Sequence, residues 1–553
     1  MELFYHLLSR LMRLAAITCG LWILIRRVAQ ASSAFPLQSL QNDRIAIIAA
    51  LVISLIGARV WEYIELAPLR KLPSFQLLDF RELLPITDTP RGKQVLEWVK
   101  KSPGADLMDI EVAGGFHTLI PLSPRAHRDI HTTRAADFEK PLFGRNYLSR
   151  LLGNGMILSE GNVHKHQRKV ITPSFRIQNI ISLQPLMAEK TNLMFKGIDH
   201  EMCENERIEI ASWGSRVTMD IIGPAFMSKD FGSLKSPDSP MEHAYKNLVE
   251  PSSGQSLLFM LSLIFPRFIV RAIPTPTNRM LAKNIDYIRS ACRAILDEKL
   301  ASLKGTRPGD ADETTSDILG SIIARGDFSE QDLVDQMLTF LSAGHETTAS
   351  SIAWATHLLT LPQYTHFQQE LRDEIREAVK IAPAFDPAQG ILPYSTLEKL
   401  PLLNGICEET LRLFPPVTNT GRVAIRDTFV ADTPIRKGMM LAIFPWATNR
   451  NPEFWGVTAE EMVPQRWIDE DANGARRLNK HGGAASNMCE QTFLHGNRAC
   501  IGQDFAKAEL RYILAALFER YHLERLEGDR GHVVPAGSLT IKPRGGLYVR
   551  GPW

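Results

Sequence analysis

The stretch that decides the fold runs Phe493-Leu494-His495-Gly496-Asn497-Arg498-Ala499-Cys500-Ile501-Gly502. It sets one cysteine between two glycines, directly before an apolar-periodic segment, Phe505 to Tyr521, that reads as a helix. A thiolate near a helix N-terminus is stabilised by the macrodipole and by unpaired N–H groups, although on composition alone a buried structural cysteine is the default for any single cysteine. Gly496 and Gly502 permit tight turns and the close approach of a flat ligand, and Arg498 stands two residues before the thiol, placed to meet an anion. The other five cysteines, Cys19, Cys203, Cys292, Cys407 and Cys489, form no C-x-x-C pair and no zinc spacing, and six in 553 residues is not a disulfide framework. A reducing compartment fits best.

Working outward, the helical period dominates. Phe328 to His357 reads as one long helix with a capping signal at Ser329 and Glu330. Tyr364 to Lys380 is amphipathic, and Leu397 to Phe414 is a helix ended by Pro415-Pro416. Strand signals are few: Phe429 to Val430, Met439 to Ile443, and a C-terminal pair, Leu539 to Lys542 and Leu547 to Val549, with Gly545-Gly546 between. Lys304 to Asp317 and Asn473 to Ser486 read as loops. The fold class is therefore mainly α with a minor β part. Hydrophobic residues at 44% and charged residues at 22% exclude a disordered chain, and a net charge of +2 supplies no field for nucleic acid.

Three further motifs accompany the cysteine decapeptide: Ala343-Gly344-His345-Glu346-Thr347-Thr348, Glu409-Thr410-Leu411-Arg412, and Val463-Pro464-Gln465-Arg466-Trp467. Together and in this order they resemble the A-G-x-D/E-T, E-x-x-R, P-E-R-F/W and F-x-x-G-x-R-x-C-x-G segments of the cytochrome P-450 family of haem-thiolate monooxygenases. The likeness covers roughly 68–553, so one large domain at 67–553 replaces the three or four that length suggests. The resemblance implies a long central helix over haem and a Cys-ligand loop before a C-terminal helix. It implies haem b with Cys500 as axial thiolate, a ligand that favours O–O cleavage.

The same resemblance assigns the remaining site residues. Thr347 holds O2 and its water, and Glu346 feeds protons inward. On chemistry alone, Thr347 equally satisfies a carbonyl one turn back. Ala343 and Gly344 offer a flat patch for the ring, while Thr348 is a packing neighbour and His345 faces away. Phe493, Gly496 and Gly502 shape the cysteine loop. Arg168, Arg422 and Arg498 meet the propionates together with His164, which stands where Trp is common, in Gly161-Asn162-Val163-His164-Lys165-His166-Gln167-Arg168. Lys165, His166 and Lys169 offer a basic surface for a reductase. Glu409 and Arg412 lie at i and i+3, so they can pair. The family implies that they form a buried network with Arg466; Gln465 replaces the usual Glu.

A partial G-x-G-x-x-G at Gly153-Asn154-Gly155 fails at Leu158. With 53 residues beyond Cys500, no flavin or nicotinamide domain follows, so electrons are expected from a separate NADPH–cytochrome reductase, with cytochrome b5 a further donor. The substrate is expected to be a lipophilic small molecule, from apolar or small residues at 107–124, 257–264, Phe340 and 417–421, and the His164 variant suggests fungal secondary metabolism. The rival readings are a haem-thiolate isomerase or dehydratase, against which Glu346-Thr347 argues, and a non-enzymatic membrane haem protein.

At the N-terminus, Leu14 to Ile25 and Ile45 to Ala58 are apolar and flanked by arginines. A cleaved signal peptide and two core helices are the competing readings. The expectation is a membrane anchor over residues 1–66, followed by a stiff basic linker containing Pro68 and Pro73. The chain carries no N-x-S/T sequon, so the body is placed on the cytosolic face of the endoplasmic reticulum membrane.

Overall fold

A computed structural model describes residues 66–77, 92–112, 116–236, 239–249, 252–305, 317–326, 328–381, 392–526, 533–537 and 540–551, with isolated residues between 23 and 56. The anchor at 1–66 falls almost wholly outside these residues. Among the described residues no helix is long and apolar enough to cross a membrane. The stretch read as a stiff linker is folded into the body. Ala67–Lys71 is a 3-10 turn with Leu69 buried, and Ser74–Leu77 enters a sheet.

That sheet has six strands: β1 (Ser74–Leu77), β2 (Leu107–Val112), β3 (Phe116–Pro121), β4 (Phe138–Glu139), β5 (Thr420–Ala424) and β6 (Met440–Ile443). Their order is β1-β2-β3-β6-β5-β4, with β1 parallel to β2, β3 parallel to β6 and the other pairs antiparallel. Pairing of Gly421 with Ala442 and of Arg422 with Leu441 fixes where Arg422 emerges. The C-terminal segments read as a hairpin pair do not pair with each other. Lys542–Pro543 pairs with Pro535–Ala536, while Tyr548–Arg550 pairs with Glu524–Arg525 and Ile208–Glu209; Leu539 lies outside the described residues.

The helices that position the site are α1 (Leu142–Leu152), α2 (Gly161–Ile171), α3 (Ile210–Met227), α4 (Ser253–Ile264), α5 (Arg267–Ala272), α6 (Pro276–Gly305), α7 (Glu330–Leu359), α8 (His366–Ile381), α9 (Pro401–Leu413) and α10 (Gln503–Arg520). Local chemistry sets their ends. Ser329 caps α7 in a reciprocal box with Asp332, at 3.2 Å in both directions. Pro401 opens α9 at its first turn, and Pro415-Pro416 follows its end. The large core gathers α3, α7, α8, α9 and α10. Helices α3 and α7 approach closely: a Cβ on Gly344 would stand 2.7 Å from Ile222, and Thr218 Oγ1 donates to the His345 carbonyl at 3.0 Å.

Candidate functional site

The cysteine loop is built by a backbone closure and a buried polar scaffold. Cys500 N–H donates to the Phe493 carbonyl at 2.8 Å, and α10 begins at Gln503. Gly496 has φ +64°, and a Cβ there would stand 2.0 Å from the His131 carbonyl oxygen, so only glycine lets this loop pass. The Cys500 thiol faces open space although protein surrounds it. Burial pushes its pKa up; the Gly502 N–H and the Arg168 guanidinium pull it down. Arg168 Nη1 donates to the Ala499 carbonyl at 2.7 Å, holding the loop from α2.

Beneath this loop, Glu409 and Arg412 are fully buried and bidentate, at 2.7 and 2.8 Å. Glu409 also accepts from Trp467 Nε1 at 2.9 Å and from Val463 N–H at 2.8 Å, with Arg466 Nε 3.1 Å away. Arg412 donates onward to the carbonyls of Asn449, Ala459 and Glu461. Asn449 in turn receives Gln491 N–H at 2.7 Å and donates to Thr492 Oγ1 at 2.8 Å, immediately before Phe493. The network thus reaches the loop through Asn449, a residue that no sequence signal marked. Gln465 is exposed and stands apart from it.

A second cluster lies beside the thiol. Lys140, His164, Arg168, Arg422 and Arg498 act on one another electrostatically. Lys140 is held well below its ordinary value by burial and by Arg422, Arg498, Arg145 and Arg168. Burial and three of these cations push His164 down to about 4. Arg422, on β5, is buried and lowered to about 10 by burial, and its Nη2 has no partner. Arg498 is engaged rather than free, pairing with Glu160 and donating to the Ser159 carbonyl at 2.9 Å. Lys140 and Glu160 belong to this site without any sequence signal, since neither sits in a motif.

Above lies α7. From Leu333 to Leu359 every residue of this helix is buried except Ala343, Gly344 and Thr347, which share one turn and open on one side. Thr347 Oγ1 donates to the Ala343 carbonyl at 2.8 Å, the one-turn-back bond. Glu346 is buried, with Lys542 Nζ 2.8 Å and His345 Nε2 3.1 Å away. Burial disfavours its charge, but Lys542 and His345 outweigh burial and hold the carboxyl well below the usual range. His345 points away from the open side, its Nδ1 donating to the Leu341 carbonyl at 2.7 Å and its ring meeting Tyr245 edge-on. Thr348 packs toward Glu509, whose carboxyl burial raises to about 8.

Other expected pocket residues are dispersed. Leu107–Val112 and Phe116–Pro121 are strands β2 and β3, and Val417 is exposed. Phe340 stacks on Phe226 and Phe175. Gly153 and Gly155 make room for Asp335 and Thr339 of α7 and cradle no phosphate. Lys165, His166 and Lys169 are exposed.

The arrangement fits haem. Cys500 offers a soft, accessible thiol, α7 has one turn stripped of bulk, and buried like charges beside the thiol, one guanidinium nitrogen orphaned, match two propionates. Comparison with known proteins agrees. The family model described as Cytochrome P450 matches residues 94–549. The chain is 35% identical over 472 residues to cytochrome P450 monooxygenase sphH of Aspergillus fumigatus, covering 84% of each chain. It is 33% identical to cytochrome P450 monooxygenase ALT8 of Alternaria alternata, over 85% of this chain and 87% of that one. It is 31% identical to cytochrome P450 monooxygenase ptmK of Penicillium ochrochloron, over 90% and 98%.

Proposed function

Because this chain belongs to the cytochrome P450 family, we propose that it inserts one oxygen atom of O2 into a lipophilic small molecule in fungal secondary metabolism. It is a haem-dependent monooxygenase that takes its electrons from a redox partner. Haem, when bound, supplies O2 activation and oxygen transfer. The observation that carries the reading is the accessible Cys500 thiol with the buried cation cluster alongside, together with the one half-buried turn of α7.

Cys500 is the residue to hold iron. Arg168, Arg422, Arg498, Lys140 and His164 would hold the propionates, and the Glu409–Arg412–Arg466 network fixes the loop that presents the thiol. Ala343 and Gly344 leave room at the reacting face. The Thr347 hydroxyl has a lone pair and a rotatable proton beside that room, so it can hold a water while donating to the Ala343 carbonyl. Glu346 is kept ionised by Lys542 and His345, so it would feed protons inward by ordering a donor water as a hydrogen-bond acceptor and not by holding the proton itself. The reductase is assigned to the exposed basic face of α2, with cytochrome b5 a second donor. The relatives' fungal origin and His164 support the metabolic placing, and the arginine-flanked apolar runs support an anchor at 1–66 with a cytosolic body.

Thr347→Ala tests the oxygenase reading. Ala keeps a good helix former, so folding and haem content should hold while product per NADPH falls and hydrogen peroxide appears. Unchanged coupling would remove Thr347 from the chemistry. Protease added to intact microsomes should digest the body; a protected body would overturn the topology.

A further inference from the structure

Away from the Cys500 site, the chain encloses a second pocket of about 720 Å³ including its open mouth. It lies among α1, α4, α5, α6 and the helix Pro240–Val249. No residue of the cysteine loop and none from Ala343 to Thr348 lines it.

Its walls are of two kinds. Leu151, Leu258 and Leu281 form part of an apolar interior, and Arg150, Arg267 and Arg271 stand at the wall and rim. No Asp or Glu is among its lining residues. Arg150 is fixed in place, with Nη1 donating to Asn278 Oδ1 at 2.6 Å and Nη2 to the Asn278 carbonyl at 3.0 Å. Arg271 repels it: burial and then Arg271 lower the Arg150 pKa, partly offset by Tyr147 and by Asp286 outside the lining, while burial, Arg267 and Arg289 lower that of Arg271. The nearby Asp335 is committed to Arg289 at 3.0 Å. Guanidinia gathered at the mouth of an apolar pocket without a lining carboxylate are complementary to an oxyanion carried on an apolar body.

We propose that this pocket binds a small aliphatic acid, with its carboxylate on Arg267 and Arg271 at the rim and its hydrocarbon between α1, α4 and α6. The inference deepens the monooxygenase reading by naming the chemistry of what approaches the enzyme, and it rests on that reading only for the ligand's role. Phe268 and Ile269, exposed beside the arginines, raise a bilayer surface as the competing use of the same charges.

The test is calorimetric titration of the full-chain, haem-loaded protein in phosphatidylcholine nanodiscs, with octanoate against octan-1-ol. Octanoate should bind about tenfold tighter, the value of one charge-assisted contact, and salt should erode the difference. Arg267→Gln with Arg271→Gln should abolish the preference and leave octanol binding as it was, whereas the double Lys variant should retain it. Equal affinity for acid and alcohol in the parent would overturn the proposal. So would a preference that survives in the Gln variant, or a Gln variant that loses only association with phosphatidylserine-containing vesicles. The reduced CO spectrum of the same samples reports the haem–thiolate reading separately, because binding requires no turnover.

Discussion

Replacing Glu409 by Gln removes one charge and one acceptor from a fully buried centre. Oε1 accepts from Arg412 Nε at 2.7 Å and Trp467 Nε1 at 2.9 Å; Oε2 accepts from Arg412 Nη2 and Val463 N–H, both at 2.8 Å. Glutamine has one oxygen. Whichever side keeps it, the other presents an NH2 to two donors, and the Arg412 guanidinium, 0% exposed, is left without its counter-ion. Breaking a buried pair in this way costs about 3–5 kcal/mol, or roughly 10²–10⁴-fold in the ratio of folded to unfolded protein. The loss should be seen where the network leads, through Asn449 to Gln491 and Thr492. The assay is denaturant unfolding of the haem-loaded protein together with the amplitude of the reduced CO band given by thiolate-ligated haem. Glu377→Gln, which breaks an exposed pair with Lys380 at 3.1 Å, is the control and should change stability by less than about 0.5 kcal/mol. If Glu409→Gln behaves like that control, the network does not hold the cysteine loop.

Cys500→Ala should fold yet lose the thiolate CO band; retention of that band would assign another cysteine. Glu509→Gln should stabilise the protein at alkaline pH and not at acid pH. The buried carboxyl has its folded pKa raised to about 8 from an ordinary 4.5, so its stability contribution is complete below 4.5 and is lost as pH rises through 8. Thermal melting at several pH values checks the sign. Lys542→Met should act in the opposite window. Glu346, depressed by Lys542 and His345, stabilises above the ordinary carboxyl pKa, so the variant's deficit should be present at neutral pH and shrink as the medium is acidified below 4.5. Gly496→Ala should cost haem retention, because the new methyl meets the His131 carbonyl and the residue must hold φ +64°.

The site's chemistry was legible where it is carried by short runs of contiguous residues. The Cys500 loop, the i,i+3 pair of Glu409 and Arg412 and the Ser329 cap all come from local spacing, and the helix ends fell within a few residues for the same reason. What was hidden depends on chain segments far apart in sequence. Lys542 reaches Glu346 from a two-residue strand, Lys140 joins the arginines from the turn before α1, and Asn449 links the network to the loop. Strands β1, β2 and β3 escaped because burial along β2 runs consecutively over Leu107–Ile110 instead of alternating, so the period of two is absent. The two C-terminal strand signals do not pair with each other because, although Gly545-Gly546 turns the chain between them, each flanking strand finds a different partner.

The single open turn of α7 sets a rule about chain length. Ala343 lies fourteen residues beyond the Ser329 cap, and the closed box at that cap fixes the helix's starting phase. One residue inserted or removed between cap and window would rotate everything downstream by about 100°. Ala343, Gly344 and Thr347 would then leave the half-buried side, Gly344 would lose its close approach to Ile222 of α3, and Glu346 would swing off Lys542. A two-residue change would be worse, and a whole turn would displace the window by about 5.4 Å along the axis. The interval from Ser329 to Ala343 therefore acts as a fixed ruler: side chains along it can be exchanged, but its count cannot. A residue gained or lost ahead of the cap, by contrast, leaves the phase of the window unchanged.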